Sequence, residues 1–149
     1  MTPPNVSSRF GKHVEHHIIS LMLQEGLDVY LPVMDNNGVD MVVKRPDGKF
    51  VEVQIKARSK GSKCPAFFPD IRHNGPKSHF WFVFYIAQFD TMIVLSSREF
   101  LLHSNDAKQG RKDWSRQIRF DGRIEGQPCI QSKYRKYIVN DFSRLLKED

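Results

Sequence analysis

Apolar residues recur at helical spacing between about positions 8 and 25. Phe10, Val14, Ile18, Ile19, Leu21 and Met22 share one arc, and Lys12, His13, His16 and Gln24 take the opposite side. Ser7 or Ser8 is placed to cap this helix and Gly26 to end it. The pattern then switches to alternation. An extended piece covers 27–33, and strands are expected at 39–44 and 50–58, joined by Arg45-Pro46-Asp47-Gly48-Lys49. Residues 59–78 are rich in Lys, Gly and Pro and read as a long loop. Two more strands are predicted at 80–87 and 91–96, linked through 88–90. Ser96-x-x-Glu99 resembles a capping box opening a short helix. Gly110, Gly122, Gly126 and Pro128 leave 105–131 without a single reading. A last helix is expected at about 132–147, with Tyr134, Ile138, Phe142 and Leu145 on one side. Helix, strands, helix in that order predict an α/β sandwich, a mixed sheet flanked by helices.

The hairpin fixes a constellation. A type I turn centred on Pro46 and Asp47, followed by Gly48 in the left-handed region, makes a three-residue loop that pairs Arg45 with Lys49. Counting back pairs Lys44 with Phe50, Val42 with Glu52 and Asp40 with Gln54. Asp40 is then expected on one face with Glu52, Gln54 and Lys56, all within about 5–8 Å. Such a polar face is often merely solvated. The mixture of residue types argues for more. A hard divalent cation takes oxygen ligands, which Asp40, Gln54 and Glu52 offer. Such an ion polarises a phosphoryl group and generates hydroxide from water, and Lys56 is suited to the charge that develops. Glu15 interrupts the apolar arc of the first helix. Its carboxylate either reaches water at the edge of the arc, meets a structural Arg, or joins this site.

Length and charge narrow the possibilities. The chain has 149 residues, 40 % hydrophobic and 27 % charged, which fits one domain behind a loose arm at 1–6. A net charge of +6 and a pI near 9.4 favour polyanionic partners. Cys64 and Cys129 are too few and too far apart for a structural zinc site and read as reduced thiols. The longest apolar run, 80–87, has strand length, and residues 1–8 lack the apolar core of a signal peptide. A cytoplasmic protein is expected, with no membrane partner.

Basic residues cluster in two places. The loop after Lys56 carries Arg58, Lys60, Lys63, Arg72, His73 and Lys77, either a solvated connection or a set of phosphate contacts. Arg111, Lys112, Trp114, Arg116 and Arg119 suit backbone contact and base stacking. His13, His16 and His17 read as surface residues, and the continuous run Phe80, Trp81, Phe82, Phe84 and Tyr85 as core.

Gly11-x-x-x-Glu15, Gly26-Leu27-Asp28-Val29 through Pro32, Gly38-Val39-Asp40 and Val53-Gln54-Ile55-Lys56, in that order, resemble the PD-(D/E)xK nuclease superfamily, above all its small endonuclease-like and Holliday-junction-resolvase-like branches. The resemblance implies a restriction-endonuclease-like mixed sheet flanked by helices, Mg²⁺ or Mn²⁺ as cofactor, duplex or branched DNA as substrate, and a homodimer. By position it implies Glu15 as the helix Glu, Asp40 as the metal-binding Asp, Gln54 at the second acidic position and Lys56 as the catalytic Lys. Gln54 departs from the more frequent Asp or Glu, and Glu52 is placed to compensate. Two rivals to an active nuclease stand. One is a DNA-binding module of a repair or defence system that keeps the fold without turnover. The other is a protein-interaction domain with incidental charge.

Overall fold

A computed structural model of the chain describes residues 6–34, 38–106 and 115–147. Helix α1 spans Val6–Gln24 and buries Val14, Ile18 and Met22. It starts earlier than expected, so Ser7 and Ser8 lie inside the helix and do not cap it. Its end is the expected one. Gly26 takes φ +81°, and the N–H groups of Gly26 and Leu27 donate to the carbonyls of Leu23 and Met22, each at 3.0 Å. This crossed pair satisfies the carbonyls that every helix end leaves open.

The strands follow as β1 (Asp28–Tyr30), β2 (Met41–Lys44), β3 (Phe50–Arg58), β4 (Phe67–Arg72), β5 (Phe80–Ile86) and β6 (Thr91–Ser96). Helix α2 (Ser97–His103) comes next, then β7 (Asn105–Asp106), β8 (Ser115–Arg119), β9 (Asp121–Ile124), β10 (Gln127–Ile130) and β11 (Ile138–Val139). A mixed six-stranded sheet runs β1-β2-β3-β5-β6-β11, with β3 and β5 parallel and its other neighbours antiparallel. The expected α/β class is thus observed. On one face α1 covers Val51, Val53, Ile55, Trp81, Val83 and Val94. On the other, Phe82, Phe84, Ile93 and Leu95 meet α2, the small sheet β4-β8-β7 and Phe120. The central strand β5 is therefore buried on both sides, which is why its sequence is continuously apolar. Ser96 caps α2, its hydroxyl accepting from Glu99 N–H at 3.2 Å.

Two further expectations fail. Residues 59–78 are not all loop, because β4 lies within them. A register shift between Phe68 and Ile71, with Asp70 at φ +58°, breaks the alternation that would have revealed the strand. The expected last helix is absent too. A 3₁₀ turn (Ser132–Tyr137), β11 and a second 3₁₀ turn (Ser143–Leu146) replace it. The β-branched pair Ile138-Val139 closes the open edge of β6. Asp141 then turns the chain by accepting from Ser143 N–H at 3.0 Å. Tyr134 and Tyr137 fill one core, Phe142 and Leu145 the other. The helical spacing of these side chains records a segment that crosses a sheet edge.

Candidate active site

The turn between β2 and β3 has the expected form. Arg45 N–H donates to Lys49 O at 2.7 Å, Gly48 takes φ +84°, and Asp47 accepts from Lys49 N–H at 3.0 Å. It sets the predicted register, Lys44 opposite Phe50 and Val42 opposite Glu52. The regular ladder ends at Met41 opposite Val53, while β3 continues to Arg58.

Asp40 departs from that ladder. Its N–H donates to Val53 O at 2.9 Å, a carbonyl whose residue is already paired with Met41. This offset resembles a bulge, a device that re-aims a side chain next to a site. The carboxylate swings into the plane of the sheet and accepts the Ile55 N–H at 2.6 Å. It takes the place of the carbonyl that a longer β2 would have supplied. Asp40 therefore does not simply share a face with Gln54. It stands at the end of the ladder, within reach of both faces.

That position matters because its partners come from opposite sides. Glu15 belongs to α1, which packs on the face of Val53 and Ile55. Gln54 and Lys56 lie opposite Phe82 and Phe84 and point to the other face. Asp40, Glu15, Lys12 and His16 line one cleft of about 470 Å³, together with Ile19, Val39 and residues 31–34. Burial pushes Asp40 up to about 6, and the nearby Glu15 carboxylate pushes the same way. The Ile55 N–H, Lys56 and Lys12 oppose the rise. Lys12 also holds Glu15 at 3.0 Å. Among the described residues no group of three or more His, Cys, Asp and Glu is placed to hold a metal. An ion here would rely on two carboxylates, a neutral amide and water.

Gln54 is half-buried, and its amide lies against the backbone of Gly38. Gly38 has φ +79°, and a Cβ there would stand 2.7 Å from Gln54 Nε2. Gly38→Ala is expected to strain the backbone and displace the amide at a cost of about 2 kcal/mol. A lower urea midpoint would show the strain, and a shifted Gln54 side-chain amide resonance the displacement.

Glu52 is not gathered with the others. Its side chain is exposed opposite Val42, and the charges acting on Asp40 come from Glu15, Lys56 and Lys12. Lys12 and His16 were expected only on the polar side of the helix. They are exposed, as expected, but they also wall the cleft. Their spacing from Glu15 on one helix was the available signal.

The basic residues divide in the same way. Lys60, Lys63, Arg72 and Lys77 are exposed. Arg58 instead donates from Nε to Phe67 O at 2.9 Å and stacks over Phe68. His73 is buried among Phe80, Phe82 and Phe100, with Nε2 2.6 Å from Ser97 Oγ. Burial first, then Lys77 and Arg116, push it down to about 4, so it is neutral at pH 7 and not a phosphate contact. Arg119 covers Phe67 and meets Asp121 at 3.3 Å. Arg111, Lys112 and Trp114 lie outside the described residues.

Arg116 is committed to the fold. It donates to Ser104 Oγ at 2.6 Å, Ser104 O at 2.9 Å and Leu101 O at 3.3 Å, and pairs with Asp106 at 3.0 Å. A cation on the last carbonyls of α2 also suits the helix dipole. Arg116→Met is expected to destabilise the domain by about 2 kcal/mol in urea denaturation.

No helix among the described residues is long and apolar enough to cross a membrane. Both cysteines are free thiols. No family model matches the chain, and no curated protein does. Its structure is similar to that of I-Ssp6803I, a bacterial homing endonuclease, with a TM-score of 0.61 over 89 % of this chain and 88 % of that one, at 16 % sequence identity. At that identity the likeness establishes that the two chains share a fold.

Proposed function

We propose that the chain is a Mg²⁺- or Mn²⁺-dependent DNA endonuclease of the PD-(D/E)xK type, working in the cytoplasm on duplex or branched DNA as a homodimer. The observation that carries this reading is the cleft shared by Glu15 and Asp40 where the β2–β3 ladder ends, with Lys56 acting on Asp40 from the other face. Two carboxylates share one cleft there, and one of them is desolvated enough to be raised to about 6. Such a pair calls for a cation. Mg²⁺ is commonly held by one or two carboxylates, several waters and substrate phosphate, so this donor set suits it. The ion, when bound, would polarise the phosphoryl group and supply hydroxide near neutral pH.

Each protein group then has a task. Asp40, held by the Ile55 N–H through one oxygen, lines the cleft and would give its other oxygen to the ion. Glu15 supplies the second carboxylate. Gln54, fixed against Gly38, offers an amide oxygen. Lys56 presents an ammonium to the phosphate as negative charge builds on it. The fold shared with a homing endonuclease and the net charge of +6 support DNA as substrate.

Supercoiled plasmid, linear duplex and a four-way junction, each incubated with Mg²⁺ or Mn²⁺, test the reading. Nicked or linear product that vanishes with EDTA is expected. Linear product formed without a nicked intermediate would support two sites acting in a dimer. Intact DNA in every arm would overturn the enzyme. Gln54 in place of an acid, with no third carboxylate gathered among the described residues, favours the second reading, a DNA-binding module without turnover. Salt-dependent binding without cutting would select it.

A further inference from the structure

The cleft that holds Glu15 and Asp40 has two unlike walls. Helix α1 gives Lys12 and His16, one turn apart. The facing wall is Leu31, Pro32, Val33 and Met34, the residues that leave β1. Those apolar side chains are turned outward. Val33 is 102 % exposed, Met34 76 % and Leu31 56 %. Isolated exposed apolar residues are ordinary, but a contiguous run beside a polar cleft marks a contact surface. Pro32 fixes its own φ and lacks an N–H, which limits the freedom the segment loses on binding.

The occupant of this wall must be whatever enters the cleft. A second copy of the chain seated on 31–34 would cover the two carboxylates. A polyanion whose only apolar surface lies between its phosphates satisfies both walls at once. Its backbone meets Lys12 and His16, and its bases meet the apolar side. Apolar side chains that enter a base step unstack it and bend the duplex.

Resting on the nuclease reading, we propose that residues 31–34 form a DNA wedge, with Val33 and Met34 entering between adjacent base pairs beside the phosphate presented to Asp40. Lys12 and His16 grip the backbone on the other side of that phosphate. The wedge opens the duplex locally and sets the phosphate into the cleft.

The exposure of both tip residues makes Val33→Ser/Met34→Ser safe for folding, which circular dichroism would verify. The double variant should cut intact duplex about tenfold more slowly, and a duplex bearing a two-nucleotide bulge less than about threefold more slowly, because the bulge is already unstacked. A second readout needs no cleavage. Asp40→Asn protein bound to relaxed plasmid, treated with topoisomerase I and then removed, should leave topoisomers shifted by the unwinding of each wedged step. The same protein carrying both serines should bind yet leave no shift. Equal shifts, or no shift from bound Asp40→Asn protein, would overturn the wedge and leave the nuclease standing. Equal slowing on intact and bulged duplex would also overturn it. So would sedimentation showing a dimer that the two serines dissociate, since the surface would then belong to a second copy. Failure of the unmodified chain both to cut and to bind DNA would remove the nuclease reading and the wedge together.

Discussion

Asp40→Asn is expected to lower DNA cleavage by at least about a thousandfold while making the domain more stable at pH 7. The two effects share one origin. The carboxylate lies where a cation would offset its burial, and without that cation it is a poorly solvated charge. Burial and Glu15 raise its pKa from 3.8 to about 6. The folded state therefore holds this proton more tightly than the unfolded chain does. Between about pH 4 and pH 6 stability falls as pH rises, and the whole cost is present above pH 6. Part of the side chain remains in water, so screening reduces that cost to about 1 kcal/mol. Asparagine removes the charge and keeps an oxygen for the Ile55 N–H. Urea denaturation of both proteins from pH 4 to 8 in EDTA gives the test. The stability difference should be near zero at pH 4 and favour the variant at pH 7. Saturating Mn²⁺ should reverse the order by stabilising the original chain alone. A variant less stable at pH 7 in EDTA would mean that the carboxylate serves the fold by ending the β3 ladder.

Lys56→Met is expected to lower kcat by about a hundred- to a thousandfold, the usual loss when one charge-stabilising donor leaves an active site. KM and Mn²⁺ affinity should change far less, because the ammonium acts on charge that appears during the reaction. Lys56 is also one of the charges that hold the Asp40 pKa down. Its removal should raise that pKa further and move the acid limb of the residual rate to higher pH. A variant that lost affinity but kept its rate would mark Lys56 as a backbone clamp. Measured by single turnover with saturating enzyme, the two outcomes separate cleanly.

The parts of the molecule legible in the sequence are those decided locally. Helix α1 follows from one apolar arc and one glycine. The β2–β3 register follows from Pro46, Asp47 and Gly48, which dictate their turn without help from the rest of the chain. That register also brings Asp40 within electrostatic range of Lys56. What eluded sequence reasoning depends on distant contacts. The offset at Asp40 arises where β2 stops and β3 does not, and no pattern within either strand announces it. Strand β4 was hidden by its own irregularity at Asp70. Glu52 obeyed the alternation and still faced solvent, because a shared strand face is longer than a site. Arg58, His73 and Arg116 carry charge or basicity in sequence, but the fold spends them on a carbonyl, an aromatic cluster and a helix end. The segment 132–147 shows the hardest case, in which spacing imitates a helix that the open edge of β6 outcompetes.

The residues that chemistry would use, from Glu15 to Lys56, are synthesised early. The side chains at 134–145 that complete both faces of the sheet come much later. A nascent chain that has exposed its candidate catalytic groups therefore still lacks the packing that would hold them in place. Those groups gain a fixed surrounding only once residues 132–147 have closed both faces of the sheet.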